Sequence, residues 1–221
     1  MGESRRAFQS RPLESSSDLK IVTQRREYIE GRRPTKGELE SFHGQTVDDV
    51  LPKKLSLLFV GINPGLWTAA VNAHFARPGN RFWPALYRSG ITSTDVDASC
   101  GLPPDVRTEF ERKGIGISNI CPIATARADE LSKQQLLDGG NLLRELVRTR
   151  KPKVVAILGV TAYRQAFGNA KIAIGRAEER FEGSELWILP NPSGLNAHET
   201  VDSLADWYGQ AATAAGVTLS R

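Results

Sequence analysis

Two short, almost unbroken apolar stretches constrain the fold more than any other feature of the chain. Residues 55–60 (Leu-Ser-Leu-Leu-Phe-Val) run into Gly61, and residues 154–158 (Val-Val-Ala-Ile-Leu) run into Gly159. A strand with one wet face alternates apolar and polar residues, whereas these are apolar on both faces and need cover on both. That is the condition of a parallel sheet sandwiched by helices. Residues 115–120 and 186–189 supply two further strand candidates. Helical spacing of Phe82, Trp83, Leu86 and Tyr87 marks a helix over residues 80–89. Leu136, Leu137, Leu142, Leu143, Leu146 and Val147 mark another over residues 132–148, starting at Ser132. Residues 161–167 and 201–215 read as helices, residues 46–51 as a short helical turn, and the stretch after the first strand as a loop. Strands alternating with helices predict an α/β class, a three-layer α/β/α domain around a mainly parallel sheet of four strands.

In such sheets the loops beyond the carboxyl ends of the strands converge on one crevice. The first strand delivers Gly61-Ile62-Asn63-Pro64-Gly65 to that edge, and the last delivers Pro190-Asn191-Pro192-Ser193-Gly194-Leu195. Either can be a simple turn, since Asn, Gly and Pro all favour turns. No Gly-Lys-Ser/Thr follows the first, so it is not a phosphate-gripping loop, and its glycines lack dinucleotide spacing. What Asn63 offers at a ligand edge is a neutral amide that can hold a water without titrating. Phe75 lies in a loop of small residues, where a ring can stack on a flat heterocycle. Phe82 and Trp83 read as core, and Trp67, Trp187 and Trp207 mainly as packing. Leu195 sits in a Gly-containing turn that could project it as an apolar wedge between bases.

Charge and composition narrow the class of partner. Among 221 residues, 29 Lys and Arg against 25 Asp and Glu give a formal charge of +4, mildly suited to a polyanion. Residues 1–20, with Arg5, Arg6, Arg11 and a Ser15-Ser16-Ser17 run, read as a flexible tail. The charges continue to Lys36 through Arg25, Arg26, Arg32 and Arg33, as a solvated leader or as an arm that contacts DNA. Cys100 and Cys121 are too few for a disulfide framework and fit a reducing cytosol. His43, His74 and His198 lack zinc-type spacing, so hydrogen-bonded or surface imidazoles are expected and metal ligands are not. No apolar stretch approaches the length of a membrane span.

Together the motifs resemble those of the mismatch-specific uracil/thymine DNA glycosylase family. The resemblance rests on Gly61-Ile62-Asn63-Pro64-Gly65-Leu66, on Phe75-Ala76-x-Pro78-x-Asn80-Arg81-Phe82-Trp83, and on Leu189-Pro190-Asn191-Pro192-Ser193-Gly194-Leu195. Residues 128–140 and Ala156-Ile157-Leu158-Gly159 are similar to family segments too, and the likeness runs from about residue 55 to about residue 212. It implies a fold of the uracil-DNA glycosylase type, with residues 1–45 as a polar, partly flexible extension and residues 46–221 as the glycosylase domain. It implies Asn63 as the catalytic residue that holds the attacking water, and Ile62 and Phe75 as contacts to a flipped base. Thr68 falls beside C5 of the pyrimidine. Asn191, Ser193, Gly194, Leu195 and Asn196 form the loop that enters the duplex. The implied enzyme is a monomer without cofactor, acting in the cytoplasm or on a nucleoid, on double-stranded DNA with a mismatched or damaged base. Where the family often has an Arg two positions after the wedge Leu, this chain has Ala197, followed by His198. Related glycosylases place an Asp where Asn63 stands, so a carboxylate such as Asp95 is a candidate helper. The rival readings are a nucleoside or nucleotide hydrolase and a non-catalytic module that binds damaged DNA.

Overall fold

A computed structural model of the chain describes residues 27–220. In order along the chain the elements are α1 (Lys36–Leu39), a 3-10 turn (Glu40–Phe42), β1 (Leu57–Gly61), α2 (Leu66–Val71), α3 (Phe82–Arg88) and α4 (Pro104–Lys113). They continue with β2 (Ile115–Asn119), a second 3-10 turn (Ala128–Glu130), α5 (Lys133–Arg150), β3 (Val154–Leu158) and α6 (Val160–Phe167). β4 (Gly175–Phe181), β5 (Ser184–Leu189) and α7 (Val201–Ala215) close the fold. The tail anticipated over residues 1–20, and Arg25 and Arg26, lie outside the described residues.

The five residues of β1 and of β3 are all buried, as an apolar run without alternation requires. Successive side chains in a strand point to opposite faces, and the core divides accordingly. Leu57 and Phe59 pack with Phe82, Phe110, Leu204 and Tyr208, under α3, α4 and α7. Leu58 and Val60 pack with Leu136, Leu143, Val147 and Tyr163, under α5 and α6. Three layers result. The strand order is β2-β1-β3-β5-β4, with β1 parallel to β2 and β3, and β3 parallel to β5. The chain thus leaves β1 toward one side for β2 and returns to the other side for β3, a topological switch at β1. Register aligns Gly61 with Asn119 and Leu158 with Leu189, so these strand ends share one edge of the sheet.

The sheet has five strands rather than four. The extra strand, β4, runs antiparallel to β5 at the edge, and its sequence Gly-Arg-Ala-Glu-Glu-Arg-Phe is mostly exposed. An edge strand needs little apolar cover and benefits from charge that discourages pairing with another chain. Its turn, Glu182-Gly183, has both residues at positive φ, the geometry of a tight hairpin without the usual Asn-Gly signal. Arg144 and Arg148 hold Glu182 at 2.6 and 2.7 Å, pinning the hairpin to α5.

Other departures have equally local causes. The segment 46–51 is extended and not helical, because Val50 exchanges backbone hydrogen bonds with Ile117 at 2.8 and 2.9 Å and covers the outer edge of β2. What read as a loop after β1 contains α2, six residues and too short for helical periodicity to register. Helix α5 begins at Ser132 as expected, through a capping box with Gln135. Its Leu142, however, faces solvent, and the packed face includes Gly139 and Gly140 instead.

Gly139 brings α5 against the end of β2. A Cβ there would lie 2.3 Å from the Ile120 carbonyl oxygen and 3.0 Å from Cys121 Cα. Alanine ordinarily gains about 1 kcal/mol over glycine inside a helix. Here overpacking against backbone should win, so Gly139→Ala is expected to lower unfolding stability in urea by about 1–3 kcal/mol. A stabilised variant would show that the two elements are less closely packed.

Candidate functional site

A cavity of about 160 Å³ opens at the shared strand edge, between the loops that follow β1, β2 and β5. Ile62, Asn63, Thr68, Phe75, Asn191 and Ser193 all line it, so most of the residues singled out in the sequence meet there. Gly194, Leu195 and Asn196 stand on the rim loop and do not line the cavity. Asp95 does not line it either, but faces a separate cavity on the far side of the turn around Phe75 and Asn80.

No Asp or Glu lines the cavity among the described residues, whereas four asparagines do: Asn63, Asn80, Asn119 and Asn191. Two of these have structural work. Asn80 Oδ1 accepts from the Phe82 N–H at 2.9 Å, and Asn191 Oδ1 from the Ser193 N–H at 3.0 Å. Asn63 and Asn119 differ in which end is bonded: their Nδ2 groups are held by the protein, and their Oδ1 atoms accept from no described residue.

The Asn63 amide is oriented by its donors. Nδ2 donates to the carbonyls of Pro64 (3.1 Å) and Ile123 (3.0 Å) and to Thr125 Oγ1 (2.7 Å). Thr125 spends its own hydroxyl proton on the Arg127 carbonyl at 2.7 Å, so toward Asn63 it can only accept. All three partners demand the NH₂ end. Oδ1 therefore points away from them, accepts from no described residue, and is not buried. The clamp is itself held: Thr125 N–H donates to Pro64, while Ala124 and the 44–45 segment exchange two backbone hydrogen bonds of 2.8 Å.

Asn119 is oriented by the imidazole of His74. The ring is buried and neutral, its pKa pushed down to about 4 chiefly by burial. Nε2 faces the Asp48 carbonyl at 3.1 Å, which can only accept, so the ring proton resides on Nε2. Nδ1 then accepts from Asn119 Nδ2 at 3.4 Å. Asn119 Oδ1 lies over Gly61, where a Cβ would come within 2.5 Å of it and 3.2 Å of Phe75 Cζ. Only glycine fits at this strand end. Phe75 adopts a left-handed backbone (φ 56°) and stacks on Phe82 with ring centroids 4.0 Å apart and planes 25° apart. An aromatic residue rarely adopts this conformation, which is kept here because the ring is locked between the core and the cavity.

The rim loop after β5 carries Leu195, which at 85% is the most exposed large hydrophobic side chain among the described residues. Internal hydrogen bonds shape it, from Asn196 N–H to the Ser193 carbonyl (2.9 Å) and from Asn196 Nδ2 to the Asn191 carbonyl (3.1 Å). His198 is exposed beside it.

Sequence reasoning gave no site role to Asn119, His74, Thr125 or Arg81. Asn119 was accessible by the rule that finds Asn63, a polar residue at the end of a strand, but reading that strand through residue 120 hid it. Phe82 and Trp83 are core as expected, Trp187 is buried, and Trp67 and Trp207 are partly buried against the same cluster.

An α/β sheet with an amide-lined pocket at its switch point suits binding of a flat ligand with hydrogen-bonding edges. Residues 49–212 match the family model described as the uracil DNA glycosylase superfamily, and the chain belongs to that superfamily. Membership places it among the DNA N-glycosylases. The fold is similar to the solution NMR structure of a candidate uracil DNA glycosylase from Methanosarcina acetivorans, with a TM-score of 0.53. That likeness has 16% identity and covers 76% of this chain and 96% of the other. No helix among the described residues is long and apolar enough to cross a membrane.

If Thr125 fixes the Asn63 amide, the isosteric Thr125→Val should leave the fold and DNA affinity close to those of the parent. It should lower the rate of base release about tenfold, since a hydrogen bond of this kind contributes on the order of 1–1.5 kcal/mol. Thr125→Ser should restore most of the rate. Parent-like turnover in Thr125→Val would show that the other two carbonyls suffice.

Proposed function

We propose that the protein is a mismatch-specific member of the superfamily: a monofunctional glycosylase that releases uracil, and related damaged pyrimidines, opposite guanine in duplex DNA and leaves an abasic site. The observation that carries this reading is the Asn63 amide, its donors all committed to the protein and its Oδ1 open on the side of a pocket without a carboxylate. A base embedded in a duplex cannot reach such a pocket without leaving the stack. Leu195 would occupy the gap, while Ile62 and the Phe75 ring receive the base. Asn119, with donor and acceptor on one amide, suits the edge of a pyrimidine.

Breaking the bond between C1′ and N1 passes through an oxocarbenium-like sugar with negative charge on the departing base. Asn63 Oδ1 accepts a hydrogen bond from water and holds it in line with C1′. As the water oxygen bonds to C1′, the bond to N1 breaks with its electron pair on the base, and the proton that the water loses passes through solvent to the departing base anion. An amide cannot take up the proton as a carboxylate can, so acceleration comes from positioning and from donors aimed at the departing anion. The enzyme is therefore slow. Thr68, buried on α2 and lining the pocket, would meet a 5-methyl group and disfavour thymine. No lysine lines the pocket among the described residues to form a Schiff base, in keeping with a monofunctional enzyme.

Asn63→Ala is the test. Alkali-labile sites from a duplex with uracil opposite guanine should fall about a hundredfold or more. Gel-shift affinity for the same duplex should hardly change, because phosphate contacts dominate it. Unaltered turnover would remove Asn63 from the mechanism.

A further inference from the structure

Arg81 lies just before α3, beneath the loop that carries Leu195, in surroundings unusual for a cation. Nη2 donates to the carbonyls of Ser193 (2.5 Å) and Asn196 (2.6 Å), and Nη1 donates to that of Glu199. The Arg81 backbone N–H donates to the Pro192 carbonyl at 2.9 Å. Its hydrogen-bond partners among the described residues are thus carbonyls and not carboxylates, and Nε is buried without a partner. Arg81 is half-buried, and meeting a guanidinium there with carbonyls alone, its Nε left unpaired, is costlier than a plain connection between β5 and α7 would require. The three carbonyls flank Leu195 on both sides, so one planar group fixes the chord across the loop tip. The loop also rests on the turn before α3, where a Cβ on Gly194 would lie 2.7 Å from the Gly79 carbonyl oxygen. That same turn supplies Arg77 and Asn80 to the wall of the pocket.

We propose that Arg81 is a positioning residue, which holds the Leu195 loop in its duplex-entering shape before DNA arrives and ties that loop to the base pocket. The proposal rests on reading Leu195 as the wedge. Its physical basis is preorganisation: a loop already fixed loses little conformational freedom on binding. Lysine cannot replace the fork, because one ammonium on a flexible stem cannot span three carbonyls in set directions.

The test compares Arg81→Lys, Arg81→Ala, Leu195→Ala and the Arg81→Ala/Leu195→Ala double variant. Uracil release is followed from a duplex with uracil opposite guanine and from the same uracil strand alone. Relative to the single strand, release from the duplex should fall about tenfold or more in each single variant. The double variant should lose little beyond either, since both act through one loop. Amide exchange over residues 193–199 of the free protein should accelerate in Arg81→Lys with the rest of the chain unchanged. If Arg81→Ala does not fold, Arg81→Lys carries both comparisons. A parent-like ratio of duplex to single-strand release in Arg81→Lys, or fully additive losses, overturns the positioning role while leaving the glycosylase reading intact. If the parent releases no uracil from either substrate, the glycosylase reading fails, and unchanged amide exchange in Arg81→Lys would then overturn the role assigned to Arg81.

Discussion

At the end of β1 there is no room for a side chain. A methyl group on Gly61 would fall within 2.5 Å of the Asn119 amide and 3.2 Å of the Phe75 ring, and that closeness brings three separate chain segments into one pocket. Parallel pairing puts Gly61 and Asn119 side by side, and the left-handed backbone at Phe75 turns its ring in from the loop after α2. With the strand end this tight, Ile62 and Asn63 must leave along the pocket wall. The sheet does more than support the site, because its register selects which polar groups face each other.

The pocket is defined as much by the carboxylates it lacks. Asn63 and Asn119 are each oriented by a neighbour with only one way to bond: Thr125 must accept, and the neutral His74 ring accepts at Nδ1. Neither amide can rotate without leaving a partner unsatisfied, which in a low-dielectric pocket costs more than the hydrogen bond contributes. On the proposed reading, a wall of fixed amides without a carboxylate recognises a heterocycle and fixes a water, but it has no carboxylate to act as a base. The consequence, on that reading, is discrimination and positioning at the expense of rate.

The three-layer class, the buried strands β1, β3 and β5, and the long helices were legible because continuous apolar runs and helical spacing report burial directly. Asn63, Phe75 and the loop of residues 191–196 were legible as polar or aromatic residues at predicted strand ends or in loops of small residues. Strand β4 was not, since an edge exposed to solvent carries charge where a strand pattern carries apolar residues. Arg81 and Thr125 escaped for a different reason. Their roles lie in partners distant in the chain, Arg81 with Ser193, Asn196 and Glu199, and Thr125 with Asn63. No local pattern encodes such contacts. His74 belongs with them: expected as a hydrogen-bonded imidazole, it is one, but its bearing on Asn119 is visible only in three dimensions.

The most direct measurement is the time course of alkali-labile strand breaks in duplexes of one sequence carrying uracil opposite guanine or thymine opposite guanine, with free deoxyuridine assayed in parallel. The expected result is a slow, complete break at uracil opposite guanine, a markedly slower one at thymine, and no uracil from the free nucleoside. Release from deoxyuridine without breaks in either duplex would contradict a DNA glycosylase built around Asn63 and point to a nucleoside hydrolase that uses the same pocket.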